Sequence, residues 1–262
     1  MSELEDIGLI SIIMAAYNAE KTIGQAIKSV IDQTYENWEL IIVDDRSIDN
    51  TTEIVQKFKD EDARIKLIQN NKNSGVSYTR RVGLAKAEGE WIAVLDSDDA
   101  WNNKKLEKQA RLQRKTQAKL LYTGSAFMDE KGRKMEGTLR VPERISYKKL
   151  LKQNLISNSS ALVTKELYEQ NYVMADWLHE DFAMWLKILK RGITAYGIDE
   201  PLLIYRLDKR SKSGNKLKSA KMNWNTYKYI GIRGIGAVCL MICYVINGIL
   251  KYLRIQKYEE IR

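Results

Sequence analysis

Histidine, cysteine and proline are scarce in this chain of 262 residues: one, two and two, respectively. A Ser-His-Asp or Cys-His catalyst, or a multi-histidine metal site, would have to be built around His179 alone, so those mechanisms are mostly excluded. His179 itself reads as a structural histidine rather than a metal ligand. Cys239 and Cys243 lie four apart in an apolar stretch, on one face of a helix, with no further Cys or His nearby. They read as small hydrophobes, not as a disulfide or a zinc pair. There is no repeat and no low-complexity tract, and the length suits one substantial domain with a short appendage. Met1 to Gly8 is acidic and lacks the basic-then-apolar build of a secretory signal, so a cytosolic active site is expected.

Acidic residues are nearly missing from the C-terminal part. From Lys209 to Arg262 the chain has 12 Lys or Arg and 2 Glu, which leaves 31 basic and 32 acidic residues before it. The main body is therefore close to neutral, and a basic tail supplies the net charge of +9. Such asymmetry points to an anionic surface or ligand. The tail's apolar content argues against nucleic acid.

Short apolar runs mark strands buried on both faces: Leu9 to Met14, Leu40 to Val43, Ile65 to Ile68 and Trp91 to Leu95. Helical spacing lies between them, at Ile23, Ala26, Ile27, Val30 and Ile31, after a cap at Asp49 or Asn50, and from Val76 to Ala87. The β-α-β-α-β-α-β order predicts an α/β fold with a parallel sheet flanked by helices, and in such sheets ligands sit beyond the carboxyl ends of the strands. Three strand ends carry polar groups there: Tyr17-Asn18, Asp44-Asp45 and Asp96-Ser97-Asp98-Asp99. The second half reads less clearly. Strands are expected at Leu120 to Tyr122, Ser125 to Met128, Ser159 to Val163 and Leu202 to Tyr205, with a helix from Asp181 to Arg191 stopped by Gly192.

Asp96-x-Asp98 at the end of an apolar strand is the most informative feature. A nucleotide diphosphate and a carboxylate repel, and a divalent cation held by hard oxygen ligands joins them. Two Asp one residue apart point oppositely in a strand, so the strand must end or turn for both to serve. Alone the spacing is a weak signal; a second acidic strand end at Asp44-Asp45 strengthens it.

Five segments in order resemble the motifs of family 2 glycosyltransferases: Ile10 to Asn18, Ile42 to Asp49, Asn73 to Arg80, Val94 to Asp99 and Glu180 to Leu186. The resemblance covers about Leu9 to Lys216. It implies a GT-A fold (a Rossmann-like, nucleotide-binding mixed sheet flanked by helices) and an inverting transfer from a nucleotide-sugar donor, with UDP expected and Mn²⁺ or Mg²⁺ as the cofactor. The donor-binding set it implies is Ala16, Tyr17, Asn18, Asp44, Asp45, Arg80, Asp96, Ser97 and Asp98. In it Tyr17 lies against the base, Asp44 or Asp45 bonds a uracil-like edge, and Arg80 reaches the nucleotide. Asp96 meets the ribose or the metal, and Asp98 ligates the metal. Asp181 is implied as the general base, with Glu180 orienting the acceptor or a neighbour. Arg206 to Lys216, with Lys209, Arg210, Ser211 and Ser213, resembles a loop that closes over the diphosphate. Two departures stand out: Ala15 occupies a place where the family usually has proline, and the closing loop lacks the histidine often found there. Each assigned residue also has a plain structural use. Tyr17 could pack, Asp44 could cap a helix, Arg80 could be a solvated helix charge, and Asp181 could sit at a helix N-terminus for its dipole.

The catalytic domain is expected over residues 1–220 and a basic, apolar, helical, membrane-associated tail over 221–262. Ile235 to Ile246 is uncharged, and the run extends to Leu250. A spanning helix needs about 20 apolar residues, so this run is at the lower limit. An interfacial helix flanked by Lys221, Lys228, Arg233, Lys251, Arg254 and Lys257 fits the charge better; a core helix is the alternative. Gly231, Gly234 and Gly236 do not make a dinucleotide loop, because no strand precedes them. The expected partners are a nucleotide-sugar donor, a saccharide or lipid-linked saccharide acceptor and a membrane surface, at the cytoplasmic face of the cell membrane, in assembly of bacterial surface polysaccharide. Two rival readings are a nucleotidyltransferase making sugar nucleotides and a non-catalytic, nucleotide-binding membrane adaptor.

Overall fold

A computed structural model describes residues 6–207 and 216–257. Its first half follows the apolar runs. Strands β1 (Ile10–Ala16), β2 (Trp38–Asp44), β3 (Ile65–Gln69) and β4 (Trp91–Val94) alternate with helices α1 (Ile23–Ile31), α2 (Thr51–Glu61) and α3 (Val76–Leu84). The four strands lie in the order β3-β2-β1-β4, and every neighbouring pair is parallel. Alternate side chains go to opposite faces, and both faces are covered. Ile12, Met14, Leu40, Ile42 and Ala93 pack with α1 residues Ile23 and Ile27 on one side. Ile13, Ile41, Val43, Ile92 and Val94 pack with Leu84 of α3 on the other. Double burial is why β1, β2 and β4 read as near-continuous apolar runs, while β3, at the sheet edge, is only partly covered.

Beyond β4 the sheet is no longer parallel. After β5 (Ala100–Trp101), α4 (Lys105–Thr116) and β6 (Leu120–Met128) come β7 (Lys134–Leu139), β8 (Arg144–Ile145) and α5 (Tyr147–Lys152). Then follow β9 (Leu162–Thr164), α6 (Lys165–Asn171), α7 (Glu180–Lys190) and β10 (Ala195–Arg206). Strand β9 joins β4 to β6 antiparallel to both, and β10 runs parallel to β6. The sheet is therefore mixed, as in a GT-A-like fold, rather than wholly parallel. The two expected strands at 120–122 and 125–128 are one strand, β6. Residues Asn158–Ser160 form a 3-10 turn before β9, so the expected strand from Ser159 is shorter. The expected short strand at 202–205 is the end of the twelve-residue β10, whose pairing with β6 shifts register around Pro201.

Helices α8 (Lys216–Tyr229) and α9 (Gly234–Lys257) complete the described chain. The expected boundary at residue 220 falls inside α8. Tyr227 and Ala237 are buried in the same core as Phe182 and Trp185 of α7, so both helices pack on the catalytic body. Tyr227 donates to Leu151 O at 2.6 Å, and Asn247 Nδ2 to Lys152 O at 3.3 Å. Among the described residues no helix is long and apolar enough to cross a membrane.

Helix α3 lies very close to the sheet because it has a glycine there. A Cβ on Gly83 would stand 2.8 Å from Ile13 Cγ2 and 3.3 Å from Val43 Cγ2. Gly83→Ala should therefore lower stability by about 1–3 kcal/mol through overpacking, read as a lower urea midpoint. An unchanged midpoint would mean that α3 does not depend on this approach.

Candidate active site

The polar strand ends meet at the carboxyl edge of β1, β2 and β4. Ala16 closes β1 beside Asp44, and Asp45 N–H donates to Ala16 O at 2.8 Å. Beyond Ala16 the chain turns at Asn18, whose φ is +49°, while Ala15 stays in the strand opposite Val43. The turn therefore forms without the proline expected at position 15. The loops after β1 and β2 are laced together: Asn18 N–H donates to Ser47 Oγ at 2.9 Å, and Ile48 N–H to Asn18 Oδ1 at 3.0 Å. Asp49 accepts from Thr51 N–H at 3.0 Å at the start of α2 and from Glu20 N–H at 3.1 Å. Tyr17, the residue after β1, is half exposed at this edge.

The two aspartates after β2 have different surroundings. Asp45 is buried and accepts from Asn70 Nδ2 and from the N–H groups of Ser74 and Gly75, at 2.8–2.9 Å. Its carboxylate is spent on ordering the loop into α3. Asp44 is also buried, and its carboxylate accepts from Ser47 N–H at 3.1 Å. Of the pair, Asp44 keeps more acceptor capacity for a ligand.

Strand β4 stops at Val94, and Ser97-Asp98 forms a turn closed by Asp99 N–H donating to Asp96 O at 3.0 Å. The turn supplies the reversal that lets Asp96 and Asp98 act together. It also brings in Asp99, which the spacing had not singled out. Oxygens of Asp96, Asp98 and Asp99 lie within 4.8 Å of one another. Asp99 is buried, its Oδ1 accepts from Arg206 N–H at 2.9 Å, and its Oδ2 is without a partner among the described residues. Burial first, then the charges of Asp98 and Asp96, push its carboxyl well above the usual range. Three clustered hard oxygen donors, one of them buried and unpartnered, fit a divalent cation such as Mg²⁺ or Mn²⁺. Behind the turn, Ser159 Oγ accepts from Asp96 N–H at 3.2 Å, and Trp101 Nε1 donates to Ser159 O at 2.7 Å.

Arg80 joins this turn to the second acidic centre. Its buried guanidinium donates to Asp96 Oδ1 and, at 2.8 Å, to Glu180 Oε1. Burial alone would lower its pKa, but the charges of Asp96 and Glu180 outweigh that and raise it. The alternative use of Arg80 as a solvated helix charge is excluded. Glu180 and Asp181 open α7, and Asn154 Nδ2 stands 3.5 Å from Asp181 Oδ2. Burial and the neighbouring Glu180 charge raise the Asp181 carboxyl, partly offset by His179 and Arg80. The chain leading into α7 is docked on α3: Ser77 N–H donates to Asp176 at 3.2 Å, and Tyr172 Oη to Ser77 O at 2.5 Å. Gly75 permits this with a φ of +86° and no Cβ, which would meet Asp176 at 2.3 Å. His179 bonds Ser219 with its ring and Thr226 with its N–H, so it serves to seat α8, as a structural histidine.

Arg206 is not in a loop as expected. It ends β10, where backbone pairing continues to Met128, and its side chain is buried beneath the acidic turn. Its Nε donates to Asp98 O at 2.8 Å, and its terminal nitrogens reach Asp129 O, Glu130 O and Gln25 Oε1. These bonds brace the turn from beneath. Lys209, Arg210, Ser211 and Ser213 lie outside the described residues.

The mixed sheet, with a three-carboxylate turn at one strand end and the partly exposed Asp181 at the start of α7, defines a GT-A-like fold with an acidic site at its strand ends. Residues 11–166 match the family described as Glycosyl transferase family 2. The chain belongs to that family. TuaG of Bacillus subtilis, named as a glycosyltransferase of teichuronic acid biosynthesis, is 36% identical over 246 residues, covering 94% of this chain and 98% of TuaG. The Escherichia coli UDP-Glc:alpha-D-GlcNAc-diphosphoundecaprenol beta-1,3-glucosyltransferase WfgD is also 36% identical over 246 residues, covering 93% of this chain and 95% of WfgD. Residues 1–349 of Staphylococcus aureus TarS, solved with UDP-GlcNAc, share the fold with a TM-score of 0.69 at 21% identity, over 84% of this chain and 65% of that one. The Pyrobaculum calidifontis mannosyltransferase PcManGT, solved with GDP-Man and Mn²⁺, gives 0.68 at 16% identity, over 89% and 68%.

Replacing Arg80 tests the clamp. Arg80→Leu leaves two carboxylates without their shared cation and should cost about 3 kcal/mol of stability at neutral pH, at the low end because Asp96 is partly exposed. The loss should shrink in acid, where the freed carboxylates take up protons. An unchanged melting temperature at pH 7 would contradict the clamp.

Proposed function

We propose that this chain is an inverting glycosyltransferase that moves a sugar from a nucleoside-diphosphate donor, UDP in the first instance, to a hydroxyl of a lipid-linked saccharide. The setting is assembly of bacterial surface polysaccharide at the cytoplasmic face of the membrane. One observation carries the reading: two separate acidic centres, Asp96-Asp98-Asp99 and Asp181, stand at either end of the buried Arg80 clamp. The names of WfgD and of the TarS complex support the UDP donor, and WfgD's acceptor supports a lipid diphosphate carrier. The GDP-Man complex of PcManGT makes GDP the donor to test against it.

Each residue then has a task. Tyr17 stacks on the base, and Asp44 accepts from its edge. Asp96, Asp98 and Asp99 would hold Mn²⁺ or Mg²⁺, which when bound offsets the charge gathering on the departing diphosphate. Asp181 takes the proton from the acceptor hydroxyl as its oxygen attacks the anomeric carbon from the side opposite the leaving diphosphate. A buried carboxylate is a better base than a solvated one, because its raised pKa brings it nearer to working pH. Glu180, fixed by Arg80, sets the start of α7 and so the direction of Asp181. Inversion follows from a single displacement. A sugar-nucleotide synthase would need a glycine-rich, basic phosphate loop after β1, and Ala15-Ala16-Tyr17-Asn18 does not supply one.

With Mn²⁺, UDP should raise the melting temperature, and Asp98→Ala should abolish that metal-dependent rise. The absence of a shift with every nucleoside diphosphate tried would refute the donor assignment. Asp181→Asn should keep the shift but lower sugar transfer to lipid-linked acceptors by about 10²–10⁴-fold. Equal turnover by both proteins would remove Asp181 from the reaction, whereas donor binding with no turnover by the parent on any such acceptor would favour the adaptor. The carboxylate is the active form, so the rate should climb with pH through a midpoint above about 4, the ordinary aspartate value. A midpoint at or below that value would contradict a poorly solvated base at Asp181.

A further inference from the structure

Helix α9 has two apolar faces and one partner. Ala237, Leu240, Met241 and Tyr244 face the catalytic body and pack into its core. Ile235, Val238, Ile242, Val245 and Ile246 are between 48% and 83% exposed. At 100° per residue these five fall within an arc of about 100°, a single stripe turned away from the core. Contiguous exposed apolar stripes of this kind mark a surface that is covered in use.

Charge identifies what covers it. Between Lys209 and Tyr258 the chain has no Asp or Glu, while Lys221, Lys228 and Arg233 precede the stripe and Lys251, Arg254 and Lys257 follow it. Lys221, Lys228 and Arg233 are exposed. A second copy of the chain would bring a like-charged tail against this one, and repulsion disfavours that pairing. An anionic lipid surface offers both missing complements: acyl chains for the stripe and negative headgroups for its ends. Crossing the bilayer is a different matter. The inner face would have to leave the core, where Ala237 is fully buried and Asn247 is bonded to Lys152 O and Gln153 Nε2.

We propose that α9 lies in the plane of an anionic bilayer, with Ile235, Val238, Ile242, Val245 and Ile246 as the docking face and its inner side carrying the catalytic body. This rests on the proposed function for the lipid-borne acceptor, and deepens it by naming the surface that meets the acceptor's membrane. The exposed ring of Tyr229, packed edge-on against Trp177 at 6.3 Å, lies at the corner between α8 and α9. Trp177 precedes the base helix by three residues, so the docked helix begins next to the segment that leads to Asp181. Lipid-linked saccharides would thus be met close to the base.

Flotation of the full chain with vesicles tests the surface. The parent should float with phosphatidylcholine–phosphatidylglycerol vesicles and bind pure phosphatidylcholine about tenfold more weakly. A variant carrying Val238→Ser, Ile242→Ser and Val245→Ser should bind the anionic vesicles at least about tenfold more weakly than the parent. Its UDP–Mn²⁺ thermal shift should equal the parent's, which shows that the fold and the donor site are intact. Equal flotation of variant and parent, or no flotation of the parent, would overturn the proposal. So would a parent that sediments as a dimer without binding vesicles and becomes monomeric in the variant. Flotation without any nucleotide shift in the parent would instead count against the transferase reading and leave the docking face standing.

Discussion

The site depends on one buried guanidinium. Asp96, Asp98, Asp99, Glu180 and Asp181 form two acidic groups, and Arg80 is the cation that touches both. Like charges gathered in a poorly solvated region repel strongly, and a shared, hydrogen-bonded cation between them makes the arrangement tolerable. Arg80 can reach both sides because α3 lies hard against β1 and β2 through Gly83, and because its first turn is gripped by Asp176 and Tyr172. Backbone packing, an absent Cβ and a salt bridge therefore serve the same end: they hold the carboxyl edge of the sheet and the start of α7 in one fixed relation.

Under the proposed function, that relation lets two chemically similar groups do different work. The turn at Asp96 to Asp99 opens from a strand end, carries three carboxylates and is braced from beneath by Arg206 and Ser159. Its unpartnered buried oxygen and raised Asp99 carboxyl are features that a bound cation would reverse. Asp181 stands on a helix, near one amide and one neighbouring carboxylate, where a cation is less suited and a proton is better held. Environment, more than residue type, separates the two roles.

Much of this was legible in the sequence where one physical rule dominated. Strands buried on both faces are largely apolar, so β1, β2 and β4 announced themselves, and the polar groups that end them marked the candidate site. Other features depended on contacts between distant segments. Asp44 and Asp45 are adjacent and chemically identical; only the approach of Asn70, Ser74 and Gly75 assigns Asp45 to the loop. Asp99 sat in plain view beside Asp98, but its burial under β10 had no local signal. Arg206 read as part of a basic loop because β10 read as ending one residue sooner. The strand's start was hidden in the same way: Gly197 and Pro201 resemble a turn, yet a Cβ at Gly197 would stand 2.3 Å from Pro142 O, so the glycine serves close packing instead. In the tail, the alternative of a core helix holds for one face of α9, whose Ala237 is buried, while the opposite face is exposed.

The central claim is that the two acidic centres act on opposite sides of one sugar. A crystal structure of the chain with a non-hydrolysable UDP-sugar and Mn²⁺ tests it most directly. The account predicts a metal that would be held by the carboxylates of Asp96, Asp98 and Asp99, with the Asp181 carboxylate on the side of the anomeric carbon opposite the diphosphate. A nucleotide bound away from the carboxyl edge of β1, β2 and β4, or Asp181 on the same side as the diphosphate, would contradict it.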